Sequence, residues 1–325
     1  MKALKTISKN KLKIINKDKP VAKGEDVLLK VKACGVCGTD HHIYNGQYNE
    51  KFPIVMGHEI SGVIEQIGEN VTNLKIGDKV AVDPNIYCGK CQYCFEGKVN
   101  FCENLEAIGV TRNGGFAEYL VAPSTNTYKL PNEFSFVNGA LVEPISCVLH
   151  GLEQVEIKEN DNVIIFGAGL IGLIMAKIIE EYHSKNIVFS EIEKYRIKKA
   201  KEFGFEVVDS DMLKTEKYDV IIDATGNIKA IEEALNLTKK MSRILLFGVS
   251  NKKDQVKISP YDIYEKEINI IGSFLNPFTS KKAVDILENK NIDFEDLVDK
   301  KLKLDQLNEI FTNSSNEYVK AMFVD

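Results

Sequence analysis

Between Asn162 and Gly172 the chain reads Asn-Val-Ile-Ile-Phe-Gly-Ala-Gly-Leu-Ile-Gly. The apolar run Val163 to Phe166 offers no polar face to solvent, as expected of a strand buried on both sides of a parallel sheet. It leads directly into Gly167-x-Gly169-x-x-Gly172 and a helical pattern from Leu170 to about Tyr182. In such a turn the first glycine permits the sharp bend, the second lets backbone approach a pyrophosphate, and the third lets the helix pack on the strand. The helix start at Leu170 and Ile171 then presents free N–H groups and a positive dipole end to phosphates. Alone the motif is weak, but strand and helix patterns keep alternating through Ile187–Phe189, a Lys-rich stretch closed by Gly204, Val207-Val208, Val220–Ile222, Ile244–Phe247 and Ile268–Ile271. That rhythm predicts a doubly wound α/β sheet with right-handed crossovers. Glu191 ends the second strand about 20 residues past the last glycine, where a carboxylate accepts adenosine ribose hydroxyls and repels a 2′-phosphate, favouring NAD. A solvated strand-end charge is the plainer reading of Glu191, and Arg196, one turn later, leaves NADP open.

The first half has another rhythm. Up to about Pro144, short β-prone runs (Val27–Val31, Ile60–Ile67, Val80 and Val82) alternate with Gly, Asn and Pro turns, which predicts an irregular, mostly antiparallel β domain. At 325 residues the chain has room for about two domains. The expected division is 1–146 with 276–325, the apolar Ala321–Val324 returning to the first domain, and 147–275 as the doubly wound domain. No apolar run reaches the roughly 18 residues of a membrane span, and the N-terminus lacks the pattern of a secretory signal. A cytoplasmic location is expected. A net charge of −5 gives no long-range attraction to nucleic acid or anionic membrane. With Arg112, Arg196 and Arg243 the only arginines, guanidinium clamps for phosphate are scarce.

Seven cysteines, an odd number crowded into short stretches, read in a cytosolic chain as metal binding rather than a disulfide framework. Cys88-Gly-Lys-Cys91-Gln-Tyr-Cys94 and Cys102 offer four thiolates on one loop, enough to close a tetrahedral zinc site with no open position. Unrelated buried cysteines seldom cluster this way, and a nucleic-acid zinc ribbon is disfavoured by the acidic balance. A second constellation joins Cys34-Gly-Val-Cys37-Gly-Thr39-Asp40-His-His42 to Met56-Gly57-His58-Glu59 and Leu141-Val-Glu143-Pro144. One thiolate, one imidazole and one carboxylate with an open fourth position suit a catalytic zinc.

The segment Gly57-His-Glu-x2-Gly62-x5-Gly68-x2-Val71 resembles the signature of zinc-containing alcohol dehydrogenases of the medium-chain dehydrogenase/reductase family. The Cys-rich loop and the Gly-rich turn follow in that family's order, so the resemblance spans essentially the whole chain. It implies a GroES-like β-rich catalytic domain and a Rossmann NAD-binding domain, with NAD and about two zinc ions as cofactors. By the same resemblance Cys37 and His58 are ligands of the catalytic zinc. Glu143-Pro-Ile-Ser146 looks like the branch whose third ligand is Glu, and Glu59 either ligates the metal or stands beside it. Thr39 and His42 resemble a proton relay from substrate hydroxyl through the nicotinamide ribose to the surface; a plain surface histidine is the competing reading of His42. Asp223-Ala-Thr225-Gly226 and Phe247-Gly248-Val249 resemble segments lining the nicotinamide side. Cys34 and Cys147 match no ligand role and read as small buried hydrophobes.

The implied chemistry is hydride transfer between a secondary alcohol and NAD, zinc acting as a Lewis acid. Resemblance to the polyol (sorbitol, arabitol) branch rests on Glu143-Pro-Ile-Ser, Cys91-Gln-Tyr-Cys94, Ile108-Gly-Val-Thr111 and Gly114-Gly-Phe-Ala-Glu118-Tyr119. Where sorbitol dehydrogenases place Arg-Tyr after Val-Phe, this chain has Ser273-Phe274-Leu275-Asn276, which shifts the expectation from sorbitol to a polyol such as an arabitol. L-Threonine 3-dehydrogenase is an alternative, since Cys-Gly-Val-Cys-Gly-Thr-Asp-x-His-Ile-Tyr44 also resembles that branch. Polyol-phosphate oxidation is disfavoured by the scarcity of Arg. A non-catalytic dinucleotide-binding protein would have no need of Cys37, His58 and Glu143 together. The expected partners are a small alcohol or polyol and further copies of the chain, as a homodimer or homotetramer.

Overall fold

The structure, a computed structural model, describes residues 1–47, 52–208, 217–288, 292–312 and 317–325. It divides into two compact units. The first comprises Met1–Ser146, Asn276–Ser315 and Lys320–Asp325, the second Cys147–Leu275 and Asn316–Val319. No helix among the described residues is long and apolar enough to cross a membrane.

In the first unit the strands Thr127–Lys129, Lys79–Val82, Glu59–Ile67, Asp26–Gly35, Ala321–Val324 and Lys300–Leu302 lie side by side in that order, and Tyr119–Pro123 also pairs with Asp26–Gly35. Asp26–Gly35 is the central member. Val27, Leu28, Leu29, Val31, Ala33 and Cys34 along it are all buried, so both of its faces are covered. The C-terminal strand joins antiparallel with Met322 opposite Gly35 and Phe323 opposite Cys34. Lys2–Ser8 forms a separate small sheet with Lys11–Asn16 and Ile54–Val55.

The second unit holds a six-stranded parallel sheet in the order Glu206–Val208, Ile187–Ser190, Val163–Phe166, Tyr218–Asp223, Thr238–Leu246, Asn269–Gly272. Numbered along the chain this is 3-2-1-4-5-6, and the order reverses beside Val163–Phe166, the crevice where such sheets take a dinucleotide. All four residues of that strand are buried. Ile164, Phe166, Ile221, Ile244 and Ala234 form one apolar core under it.

One element departs from the sequence expectation. A helix runs from Phe136 to Val155, through the region read as irregular β structure, and the division between the units falls inside it, after Ser146. Pro144 lies within this helix. Proline lacks the N–H for the i−4 bond and ordinarily ends a helix, which is why the pattern was unreadable.

At Gly172 the packing of helix on strand is at its tightest, for a Cβ there would lie 2.0 Å from the Gly167 carbonyl oxygen. Gly172→Ala therefore forces backbone apart and should destabilise the chain by about 1–3 kcal/mol. Chemical denaturation checks this; an unchanged midpoint would contradict the close approach.

Candidate active site and metal centres

Cys37 sits at the N-terminus of the helix Gly38–Tyr44. Asp40 reaches back from the first turn and accepts the Cys37 N–H at 2.8 Å, the reciprocal arrangement of a capping box. Its other oxygen accepts the Gly57 N–H at 3.2 Å and lies 3.6 Å from His58 Nδ1. One fully buried carboxylate thus ties the Cys37 turn to the His58 segment. Sequence reading quoted Asp40 in the motif but assigned it no role; the i, i+3 spacing to Cys37 was the available signal.

Glu59 opens the next strand and stands opposite Gly35. A Cβ on Gly35 would fall 1.8 Å from Glu59 Oε2, so only glycine leaves space for the carboxylate. Lys320 completes this corner. Its Nζ lies 2.6 Å from Oε1 and 2.5 Å from Oε2 of Glu59, and donates to the Val36 carbonyl at 2.8 Å. Burial opposes the charge on Lys320, but the Glu59 carboxylate and the Cys37 thiol beside it raise its pKa above the ordinary lysine value. Nothing local in the sequence marked Lys320.

The ligand atoms of Cys37, His58 and Glu59 all lie within 4.8 Å of one another. Glu143, on the helix Phe136–Val155, is not part of that tight group, yet it shares their field. Desolvation pushes its carboxyl up to about 7, with His58 opposing the shift and Glu59 and Asp83 adding to it. At His58 burial works against the imidazolium, and the Asp40 carboxylate overrides it, holding the ring well above its usual pKa. His58 Nδ1 is buried without a hydrogen-bond partner. A thiol, an imidazole and several carboxylates against one lysine leave an excess of negative charge that a dication offsets, so the donor set fits zinc with Cys37 and His58 as ligands and Glu59 or Glu143 beside them.

Thr39 and His42 lie three residues apart on one helix and so on one face. Thr39 Oγ1 is 3.9 Å from Cys37 Sγ, and the half-buried His42 has Nδ1 2.9 Å from Gln47 Oε1. Gln47 therefore orients the ring, a contact sequence reading missed. The neighbouring His41 packs instead on Phe311, centroids 5.0 Å apart, and burial lowers its pKa. Cys34 is buried as expected of a packing residue, whereas Cys147 is only half-buried.

Cys88, Cys91, Cys94 and Cys102 form the second cluster, their sulfurs within 4.8 Å of one another. Cys102 Sγ accepts the Cys88 N–H at 3.2 Å, and the Cys91 and Cys94 sulfurs are 3.5 Å apart. A hydrogen bond from the Lys90 backbone draws the Cys88 thiol down to about 6, while desolvation and the neighbouring thiols push Cys94 up to about 12. Four sulfurs this close cannot all carry charge without a counterion. A dication removes the conflict, and four sulfurs fit a closed zinc site.

In the second unit the helix Leu170–Tyr182 begins at Gly169 with no side-chain cap. Among the described residues only the Arg196 guanidinium, its Nη1 3.9 Å away, comes near the position a Cβ on Gly169 would take. Arg196 Nε is buried and without a hydrogen-bond partner. Ile171 and Gly172 continue the turn. Glu191 folds over it, accepting the Ala168 N–H at 2.8 Å and the N–H groups of Ile192 and Glu193 at 2.7 and 2.9 Å. Thr225 Oγ1 donates to Asp223 Oδ1 at 2.5 Å, and the Gly248 N–H donates to the Asp223 carbonyl at 2.9 Å, so both strand-end loops gather on one buried aspartate. Open uncapped N–H groups, a guanidinium and a carboxylate together fit a dinucleotide.

Two family descriptions match the chain, alcohol dehydrogenase GroES-like domain over residues 23–132 and zinc-binding dehydrogenase over residues 167–289. The chain is 34% identical to D-arabinitol dehydrogenase 1 of Uromyces fabae, across 91% of this chain and 88% of that protein. Its backbone superposes with a TM-score of 0.96 and 31% identity on a protein described as a zinc-binding dehydrogenase from Sinorhizobium meliloti 1021, bound to NADP, covering 100% of this chain and 99% of that one. The short chain alcohol dehydrogenase rspB of E. coli CFT073, complexed with cofactor NADH, matches with a TM-score of 0.93 and 31% identity over 100% and 99% of the two chains. Fold and clusters together define a zinc-binding, dinucleotide-dependent oxidoreductase. The chain belongs to the zinc-dependent medium-chain dehydrogenase/reductase family, in its polyol dehydrogenase branch.

Protein purified with zinc should carry about two equivalents per chain, one closed and one open. Cys37→Ser should fall toward one equivalent with its circular dichroism intact. Cys94→Ser should lose thermal stability, because binding at a structural zinc site is folding free energy. A Cys94→Ser variant with full metal and wild-type Tm would overturn the assignment of the closed site.

Proposed function

We propose that the chain transfers a hydride between a secondary carbinol of an arabitol-like polyol and NAD, in a cytoplasmic homodimer or homotetramer. The observation that carries this reading is the donor set around His58. Carboxylates, Glu59 and Glu143, stand where a second thiolate would make a softer site, and the relative in Uromyces fabae is by its name a D-arabinitol dehydrogenase. Zinc, when bound, supplies the Lewis acidity that lowers the pKa of an alcohol. Thr39 Oγ1 accepts the substrate's hydroxyl proton as it passes its own on, and His42, held by Gln47, is the group that releases a proton at the surface end of this relay. Glu143 is a harder and more readily displaced ligand than a thiolate, which suits a substrate with neighbouring hydroxyls. At the coenzyme turn Gly169 leaves space for pyrophosphate, and Glu191, its oxygens oriented by three backbone N–H groups, would hold the adenosine ribose.

In a dinucleotide-reduction screen across polyols, polyol phosphates, L-threonine and ethanol, a polyol with vicinal hydroxyls should have the highest kcat/KM. Ethanol matching the best polyol, or L-threonine exceeding it, defeats the reading.

NAD should exceed NADP by at least about tenfold in kcat/KM, since like charges brought together away from water cost several kcal/mol. Parity between the coenzymes would show that Arg196 outweighs Glu191.

Glu143→Ala should keep its fold and its NAD affinity, lose most turnover, and surrender its open-site zinc readily to a chelator. Wild-type activity and metal in that variant would leave Glu59 as the ligand.

A further inference from the structure

Glu143 is followed in its helix by Pro144, which has no N–H to give and whose ring crowds the carbonyl four residues back. The turn that carries the carboxylate is therefore weakly held by its own backbone, and side chains tie it down. Ser146 Oγ donates to the Glu143 carbonyl at 2.6 Å. Asn276 Nδ2 donates to Ser146 Oγ at 2.7 Å, and Asn276 Oδ1 accepts from Asn85 Nδ2 at 2.6 Å. Thr279 Oγ1 donates to the Ser146 carbonyl at 2.8 Å. A second branch runs from Asn276 Nδ2 to Asp83 Oδ2 and Ser280 Oγ, both at 3.3 Å, with Ser280 Oγ donating to Asp83 Oδ2 at 2.8 Å. Ser146 Oγ accepts one bond and donates one, and of the two Asn276 Nδ2 protons one serves Ser146 Oγ while the other is shared between Asp83 Oδ2 and Ser280 Oγ.

Four of these groups are out of water. Ser146 is 0% exposed, Ser280 1%, and Asn276 and Thr279 2% each. In such surroundings a donor that loses its acceptor pays its full desolvation cost, so the chain Asn85–Asn276–Ser146–Glu143 has one good arrangement. The strap that delivers Asn276 is itself constrained. Leu275 and Phe278 on either side of it adopt left-handed backbone, φ 60° and 59°, although neither is glycine. Residues hold that conformation only where their surroundings over-determine it, and such positions gather at functional sites.

We infer that Asn276 is a positioning residue for Glu143, acting through Ser146 to fix where the Glu143 carboxylate stands. The inference rests on Glu143 being a ligand of the open zinc site, as proposed above. It also gives a role to the last residue of Ser273-Phe274-Leu275-Asn276, the segment in which this chain departs from the sorbitol dehydrogenase pattern, and to the serine that closes Glu-Pro-Ile-Ser.

The test uses the zinc-loaded full chain and four variants: Asn276→Ala, Ser146→Ala, the double variant, and Glu143→Ala. Zinc release to a chromogenic chelator is followed in time, the slowly released zinc of the cysteine cluster serving as an internal control. Asn276→Ala and Ser146→Ala should each speed release from the open site about tenfold, the lower end of the loss seen when hydrogen-bonded supports of metal ligands are removed. The double variant should release no faster than either single one, since both cut the same chain. NAD affinity should be unchanged while kcat falls. Wild-type release in Ser146→Ala, which removes one hydroxyl and keeps the fold testable should Asn276→Ala not fold, overturns the inference. So do effects that multiply in the double variant. Wild-type release in Glu143→Ala overturns instead the reading of Glu143 as a ligand.

Discussion

The Asp40 carboxylate is the joint on which the catalytic cluster hangs. It is 0% exposed and accepts N–H groups from Cys37 and Gly57, so it holds the helix start carrying one ligand against the segment carrying the next. Each of those N–H groups, orphaned in the interior, would cost about 1–3 kcal/mol. The same negative charge sits 3.6 Å from His58 Nδ1 and biases that ring toward a positive neighbour. The C-terminal strand supplies the balance. Because Ala321–Val324 pairs antiparallel with Asp26–Gly35, Lys320 arrives beside Glu59, where it neutralises one of the buried carboxylates. Removing one member of a buried pair leaves an uncompensated charge, typically at about 3–5 kcal/mol, so the last few residues of the chain are part of the site's electrostatics.

The coenzyme end is organised by register rather than by charge. Phe166 pairs in parallel with Ser190 on one side and Asp223 on the other, so the three loops that follow leave the sheet at the same edge. That is what brings Glu191 over Ala168 and sets Thr225 beside Gly167, whose Cβ position Thr225 Cγ2 would meet at 2.8 Å. Glu191 serves the fold at this edge, since its oxygens satisfy three backbone N–H groups.

Much of this was legible because it is local. The apolar run Val163–Phe166, the glycines after it, the helix Leu170–Tyr182 and the Cys88–Cys102 loop each declare themselves within about 15 residues by period or spacing. The helix Phe136–Val155 did not, because Pro144 reads as a stop and the helix survives on contacts made elsewhere in the chain. Thr238–Leu246 begins earlier than expected for a related reason. Thr238 pairs with Tyr218 and the ladder resumes only where Arg243 meets Val220; Lys239, Lys240 and Met241, polar or exposed and with Met241 at φ 63°, lie in the register shift between them, which no apolar run announces.

The sequence by itself determined the two kinds of domain, the cysteine cluster, the glycine-rich turn and the residue types gathered at Cys37, His58 and Glu59. Those features depend on short-range periodicity and on donor atoms spaced a few residues apart. Only the tertiary structure decided which carboxylates stand near His58 and what holds them there. Lys320 and Asn276 act across separations in sequence that no local pattern encodes; Lys320 meets Glu59 over 261 residues and Asn276 meets Ser146 over 130. Their effect comes from burial. A carboxylate or amide taken out of water must find a partner, and which partner it finds is settled by the sheet pairings and the strap that bring distant segments into contact.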